Sequence, residues 1–277
     1  MKIPKSHRIH NLEEQLFEAE YGIQYLSTKL TDLTMQMDQI SKIALEIPSS
    51  TLINYLARNL SVSKAQLLQD LIVGFIYEDK NGYFCEFGAA DGVSLSNTYF
   101  LEKNGWDGIL AEPSKRWHEQ LAANRSCKIA YECVYSESNY EVMFNEVDDG
   151  MFSSLVEFSD ADMNSEKRLH GLQYPVTSIS LEGLLRRYQA PSHIDFLSVD
   201  TEGSEFVILE NFNFQSFSFG AIFVEHNFTE NREKINKLLT SHGYLQIFSN
   251  LSRWDDWYLS QEQYDVLRTK CGIKELQ

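Results

Sequence analysis

Residues Tyr83 to Gly92, reading Tyr-Phe-Cys-Glu-Phe-Gly-Ala-Ala-Asp-Gly, constrain this chain more than any other stretch. An apolar run that breaks into small residues, followed by Val93-Ser94-Leu95-Ser96-Asn97 opening a helical pattern, reads as a strand, a tight turn and a helix N-terminus. The spacing is Glu86-x-Gly88-x-x-x-Gly92. Glycine accepts positive φ and lets the backbone approach a ligand, and a helix start offers unpaired N–H groups. These are the features with which the end of a parallel strand holds an adenosine-type ligand. A dinucleotide fingerprint would read G-x-G-x-x-G; the middle glycine is missing, which argues against a nicotinamide enzyme. The plain alternative is an ordinary glycine-rich loop.

A second signal lies about twenty residues on, where the short strand Gly108-Ile109-Leu110-Ala111 ends in Glu112-Pro113. A carboxylate at the tip of the second strand of a βαβ unit is placed to accept from ribose hydroxyls. An acidic strand end is often only solvated, but the two features at this separation together point to a nucleoside site.

Three segments then carry a specific likeness: Glu86-Phe-Gly-Ala-Ala-Asp-Gly92; Leu101-Glu-Lys-Asn-Gly-Trp-Asp-Gly108 leading into Ala111-Glu112-Pro113; and Phe196-Leu-Ser-Val-Asp200-Thr-Glu202-Gly-Ser-Glu205. In combination the chain resembles the FkbM family of S-adenosylmethionine-dependent O-methyltransferases, over residues 65 to 260 or so, with the first 60 residues outside the match. The resemblance implies an α/β fold of the Rossmann-like class I methyltransferase type, a mostly parallel sheet closed by an antiparallel strand. It implies S-adenosylmethionine as cofactor and methyl transfer to a hydroxyl of a small molecule or glycan, such as a sugar intermediate in polysaccharide or natural-product biosynthesis. The cofactor-binding residues expected on this basis are Glu86, Gly88, Ala89, Asp91, Gly92, Ser94, Glu112, Pro113 and Cys133. Asp91 and Ser94 reach the methionine end or only cap the helix, and the adenine falls near Glu132, Cys133 and Val134.

Ligands of such sheets bind outside the C-terminal strand ends, and acidic or imidazole groups stand at four of them: Glu86; Glu112; Asp200 with Glu202 and Glu205; and Glu225 with His226. Methyl transfer needs in-line approach and removal of a hydroxyl proton. His226, with an ordinary pKa of about 6.5, is the first candidate base and Asp200 the second; a core histidine bonded to backbone is the competing reading. Asp200, Glu202 and Glu225 could alternatively hold a divalent cation, since oxygen ligands suit Mg²⁺, although spacing does not establish one. Glu205 at a helix start offsets the helix dipole. Trp254, Trp257 and Tyr258 either stack on a sugar ring or, the reading favoured here, belong to the core of a closing strand.

The most regular pattern lies elsewhere. Leu12, Leu16, Ala19, Ile23, Leu26, Leu30, Leu33, Met37, Ile40, Ala44 and Ile47 alternate steps of four and three without a miss, with a chance of roughly one in 10⁴ per starting point. Five heptads predict a left-handed coiled coil through which the chain self-associates, about 54 Å long and ended by Pro48. A single amphipathic helix lying on the domain is the alternative, but its apolar stripe is usually wider. Few charge pairs flank the stripe, so strand number and direction are unspecified between parallel dimer and trimer. The expected organisation is a coiled-coil helix over 1–48, a linker over 49–62 and a methyltransferase domain over 63–277.

Within that domain the pattern predicts helices over 63–78, 94–103, 114–124, 181–188, 203–210 and 230–241, a capping box at Ser260–Gln263, and strands at 83–87, 108–111, 128–134, 194–199, 221–224, 244–248 and 257–259, with Glu141–Val147 alternating like a further strand. Residues 148–173 are polar and irregular, as a lid or substrate loop would be. A net charge of −16 disfavours nucleic acid and anionic membranes. Four cysteines without metal or redox spacing suit a reducing cytosol, and the absence of a signal peptide or a run of transmembrane length makes cytoplasmic the expected location. The rival to an enzyme is a catalytically inactive head of the same fold on a coiled-coil scaffold; intact Glu112 and glycines speak against it.

Overall fold

The computed structural model describes residues 5–78, 80–148, 150–162 and 164–274. Three helices lead the chain: α1 (Lys5–Glu46), α2 (Ser50–Asn59) and α3 (Gln69–Ile76). The main body then alternates β1 (Tyr83–Phe87), α4 (Tyr99–Lys103), β2 (Asp107–Ala111), α5 (His118–Asn124) and β3 (Lys128–Ala130). An interposed region follows, comprising β4 (Cys133–Tyr135), β5 (Glu141–Glu146), β6 (Ser154–Leu155), α6 (Ser165–Arg168) and β7 (Leu172–Ser180). The chain closes with α7 (Leu181–Arg187), β8 (His193–Val199), α8 (Glu205–Glu210), β9 (Ser218–Glu225), α9 (Asn231–Ser241), β10 (Leu245–Ile247), β11 (Asp255–Leu259) and α10 (Gln261–Cys271).

Seven strands form one sheet in the order β10-β11-β9-β8-β1-β2-β3. β1, β2, β3, β8 and β9 are parallel, while β11 runs antiparallel between β9 and β10. The order reverses between β1 and β8, and a crevice opens at their carboxyl ends, where open α/β sheets bind ligands. β4 to β7 make a separate four-stranded sheet. The expected strand over 128–134 is therefore divided: its first half pairs with β2 and its second half with β7. Central strands are buried on both faces, as a sheet covered on both sides by helices requires.

Helix starts differ from the sequence reading wherever a local side chain competes for the backbone. Ser63 does not cap a helix; its hydroxyl donates to Asp70 at 2.7 Å, and α3 begins at Gln69 after Leu68 at φ 65°. Residues 94–98 form an irregular loop pinned by Glu86 before α4 begins at Tyr99. Ser260 caps α10 as its capping box predicts, accepting from the Gln263 N–H at 3.3 Å.

The boundary between stalk and domain also moves. The last turns of α1 sit in the core, with Ile43 and Ile47 buried and Ile40 packed against the same cluster. Gln36 donates to the Ala65 carbonyl at 3.2 Å and Gln39 to the Leu251 carbonyl at 3.0 Å. Residues expected as a linker form α2, whose Leu52 and Leu56 are fully buried. Towards the N-terminus α1 leaves the body: Leu16, Ile23, Leu26, Leu30, Leu33 and Met37 are exposed, while Leu12 lies outside the residues whose side chains are described. The helical half of the coiled-coil expectation is present; pairing of two helices is not a feature of this single chain. Because Ile43 is a fully buried core residue, Ile43→Ala is expected to lower the unfolding free energy by about 2–4 kcal/mol. Urea denaturation checks this; a change within about 0.5 kcal/mol would return residue 43 to the stalk.

Candidate functional site

One cavity lies over the carboxyl ends of β1, β2, β8 and β9. Its β1 side is lined by Glu86, Gly88, Ala90, Ser94, Ser96 and Asn97, and its β2 side by Glu112 and Pro113. Gly88 has φ 71°, and a Cβ there would stand 2.0 Å from the Asp200 carbonyl oxygen. Only glycine permits this approach of the turn after β1 to the end of β8. Glu86 is committed to the loop it faces: it accepts from the Asn97 N–H at 2.7 Å, from Ser96 Oγ at 3.0 Å and from the Thr98 hydroxyl. Arg125 Nη1 lies 3.7 Å from the same carboxylate.

Glu112 is buried and accepts from the N–H groups of Ala90 and Ser114, each at 2.8 Å. Each oxygen keeps a lone pair for a hydroxyl donor. Burial pushes its carboxyl up to about 7 despite these two bonds. Of the other expected cofactor residues, Ser94 and Cys133 line the cavity, as does Val134; Ala89, Asp91 and Gly92 do not. Asp91 caps the local turn, accepting from Val93 N–H at 2.8 Å and Ser94 N–H at 2.7 Å. Gly92 is required by packing, since a Cβ would meet Arg125 Cγ and Leu121 Cδ1 at 2.7 Å. Glu132 pairs with Arg187 and also stays out of the cavity.

At the β8 and β9 ends, carboxylate oxygens of Asp200, Glu202 and Glu225 lie within 4.8 Å of one another, and all three residues line the cavity. Asp200 is open to the cavity yet deep within the molecule, and burial, with the charges of Asp255 and Glu205, pushes it up to about 7. Burial and the charge of Asp200 raise Glu202 to about 9 against the pull of Arg168. Burial, Asp200 and Glu202 hold Glu225 well above the usual carboxylate range. Glu205 folds back on its own turn, accepting from the N–H groups of Thr201 and Gly203 at 2.9 Å.

The geometry does not support His226 as a base. Its imidazole is buried outside the cavity lining, and the Phe228 N–H donates to Nδ1 at 3.0 Å. The proton then sits on Nε2, which donates to the Asp255 carbonyl at 3.0 Å, leaving no free lone pair. A core histidine bonded to backbone is what the structure contains. The aromatic trio divides: Trp257 and Tyr258 are fully buried, whereas Trp254 lines the cavity.

Several lining residues escape the sequence reading. Gln66 and Gln69 come from the segment before β1, and Gln69 donates to Asp255 at 2.7 Å. Burial raises Asp255 to about 6. Gly150, Met151, Phe152, Ser153 and Leu155 come from the irregular 148–173 region, which thus supplies a wall of the cavity. Arg168 of the same region is buried and bonds Asp162 at 2.8 Å, Glu202 at 2.5 Å and the Phe152 carbonyl at 2.8 Å, tying that wall to the acidic cluster. Asn97 donates to Ser198 Oγ at 3.0 Å, while its Oδ1 is buried without a protein donor. The only signal for these in the sequence was the polar character of 148–173.

A doubly wound sheet with an antiparallel closing strand, a glycine turn after β1 and a carboxylate at the tip of β2 makes a Rossmann-like fold with a nucleoside-type site at its switch point. The chain belongs to the FkbM methyltransferase family: the family model described as the methyltransferase FkbM domain matches residues 86–254, more than half of the chain. Membership implies S-adenosylmethionine as methyl donor. No curated protein matches the chain. Among solved structures it is similar to a fibrillarin/Nop5p complex (12% identity, 64% of this chain and 71% of that one, TM-score 0.33). It is also similar to precorrin-6y C5,15-methyltransferase from Geobacter metallireducens GS-15 (11% identity, 65% and 72%, TM-score 0.36). A third is ribosomal protein L11 methylase from Lactobacillus delbrueckii subsp. bulgaricus (8% identity, 69% and 77%, TM-score 0.35). Likenesses this distant carry no argument about substrate.

The raised carboxyls give a pH dependence with a definite sign. A carboxyl whose folded pKa is raised adds stability that is complete below its ordinary value near 4 and is lost as pH climbs through the folded value. For Asp255, Asp200 and Glu112 that window runs from about 4 to about 7. Despite burial, hydrogen bonds hold Glu102, Glu146 and Asp162 below their ordinary values, so they are ionised throughout the upper part of this window. The thermal midpoint of the ligand-free protein is therefore expected to fall between about pH 5 and about pH 8, and Glu112→Gln to flatten the fall. Differential scanning calorimetry checks it; a midpoint that rises across this range contradicts the assignment.

Proposed function

We propose that the protein is an S-adenosylmethionine-dependent O-methyltransferase acting on a hydroxyl of a sugar or glycan intermediate, with Asp200 as general base. The observation that carries this is the position of Asp200: open to the cavity, at the tip of β8, with its pKa raised to about 7. A carboxylate near that value is suited to take a hydroxyl proton at neutral pH.

The residues present fit the cofactor: Gly88 lets the turn after β1 close on the end of β8, and Glu112 has lone pairs for ribose hydroxyls. When bound, S-adenosylmethionine supplies a sulfonium-activated methyl group. Glu112 would hold the ribose, and Gly88, Ala90, Pro113, Cys133 and Val134 would form the walls around the nucleoside. Asp200 Oδ accepts the acceptor's hydroxyl proton. Besides burial, the charges of Asp255 and Glu205 raise Asp200 while a hydrogen bond with Glu225 opposes them, and Glu202 beside it is fixed by Arg168. The 150–155 wall excludes water from the reacting face. The Asp200–Glu202–Glu225 oxygens are also of the type that binds a divalent cation, and a cation there would lower the pKa values of all three.

Isothermal titration with S-adenosylhomocysteine is the test of the cofactor site: micromolar binding is expected and Glu112→Ala should abolish it. Asp200→Asn should keep that binding and, with a methylated acceptor in hand, lower kcat by about 10²–10⁴. Binding unaffected by Glu112→Ala would remove the ribose role. No binding by the intact protein would favour the inactive-scaffold reading.

The exposed stripe of α1, Leu16 to Met37, supports self-association through that part of the expected 12–47 span, the rest being packed on the domain. A projecting helix of this length gains little from propensity alone, and apolar residues at heptad spacing are buried by a second copy in a coiled coil. Leu26→Glu with Leu30→Glu, both exposed in the single chain, should convert an oligomer to a monomer in analytical ultracentrifugation without changing the fold. A wild-type protein that sediments as a monomer rules the interface out.

A further inference from the structure

The charge of the cavity restricts the acceptor. Apart from Glu86, held by its loop, and Glu112, placed for the ribose, its lining includes four carboxyl groups, Asp200, Glu202, Glu225 and Asp255, and among the described residues no Lys, Arg or His contributes to it. The guanidinium that touches the cluster, Arg168, is already spent on Asp162, Glu202 and the Phe152 carbonyl. Lys115 and Arg116, which follow the lining residue Pro113 closely, turn elsewhere: Lys115 lies over the Tyr174 ring at 4.3 Å, and Arg116 donates to the Val147 and Asp148 carbonyls. An independent feature points the same way. The buried Oδ1 of Asn97 is an acceptor without a donor, so it too is completed by a group that donates hydrogen bonds.

We infer that the acceptor portion entering this cavity is a neutral or amine-bearing polyol, and that acceptors carrying phosphate, nucleotide diphosphate or carboxylate at that position are rejected. Phosphate and carboxylate recognition relies on Arg, Lys or a helix N-terminus, and an anion placed beside this group of carboxyls, with no free cationic side chain in the lining, is disfavoured. Hydroxyl and ammonium groups instead donate to the carboxylates and to Asn97 Oδ1. Trp254, partly exposed in the lining, offers an apolar ring face to such a polyol. The acceptor would therefore reach the protein after any activating phosphate or nucleotide has been released, or with that group held outside the cavity.

This rests on the methyltransferase reading, and the test separates the two. Full-length protein that binds S-adenosylhomocysteine calorimetrically is incubated with methyl-labelled S-adenosylmethionine and matched acceptor sets: each sugar as its methyl glycoside, its amino analogue, its phosphate ester, its uridine diphosphate conjugate and its uronic acid. The expected result is label in methyl glycosides or amino sugars, at least tenfold above their anionic partners. Label in phosphate, nucleotide or uronate members at comparable rates overturns the inference. Binding of S-adenosylhomocysteine without label in any neutral or amine-bearing member overturns it as well. Failure to bind S-adenosylhomocysteine overturns instead the methyltransferase reading on which it rests.

Discussion

The electrostatic cost of placing Asp200, Glu202 and Glu225 within 4.8 Å of one another, with Glu202 and Glu225 buried, governs how the surrounding elements are used. Three devices reduce it. The carboxyls retain protons to higher pH, as the raised values of Asp200 and Glu202 show. Arg168 places a buried guanidinium against Glu202, and Glu205 is drawn away from the cavity into bonds with its own backbone. The Arg168 device has a structural by-product. Because the same side chain bonds Asp162 and the Phe152 carbonyl, the region between β5 and β7 is fastened at the point where the charge is greatest. A buried pair of this kind adds little net stability, but losing one partner leaves a charge uncompensated. The wall formed by residues 150–155 thus depends on the acidic cluster that it covers.

The N-terminal helix is linked to the same cavity from the opposite side. Gln36 and Gln39 bond the carbonyls of Ala65 and Leu251, and Arg253 pairs with Asp38 at 3.1 Å. These contacts fall on the two segments that supply Gln66 and Gln69, and Trp254 and Asp255, to the lining, and Gln69 bonds Asp255 between them. One end of α1 is therefore a support for the cavity, while its other end carries the exposed stripe. The heptad pattern runs through both without a break because Ile40 and Ile47 satisfy it while facing the domain core.

That continuity explains why the sequence misplaced the stalk boundary. A stripe of apolar residues at helical spacing reads the same whether a second helix or a domain covers it. The α2 segment was read as a linker because Pro48 and the serines around it look like a break; only burial of Leu52 and Leu56 shows otherwise. In contrast, the alternation of strands and helices, the glycine turn and the position of Glu112 at the tip of β2 were legible, since each is dictated by local backbone geometry and short spacing. Gln69, Asn97 and Arg168 were not, because their roles arise from pairings 34 to 186 residues apart, as between Arg168 and Glu202 or Gln69 and Asp255. Polar residues without a repeating pattern give no sign of what they meet.

The choice between His226 and Asp200 shows how pKa alone misleads. An imidazole's ordinary value suits general base catalysis and a carboxylate's does not, so the sequence favours the histidine. In the folded chain the antiparallel β11 lies beside β9 and brings the Asp255 carbonyl to Nε2, while the turn after β9 brings the Phe228 N–H to Nδ1. One nitrogen is consumed by the strand that closes the sheet and the other by the turn after β9. The same fold sets Asp200 among other acids at the cavity and raises its carboxyl into the range the histidine had offered. The proton acceptor proposed here thus owes its raised pKa to its surroundings and to neighbouring charge, and it stands where the cavity is open.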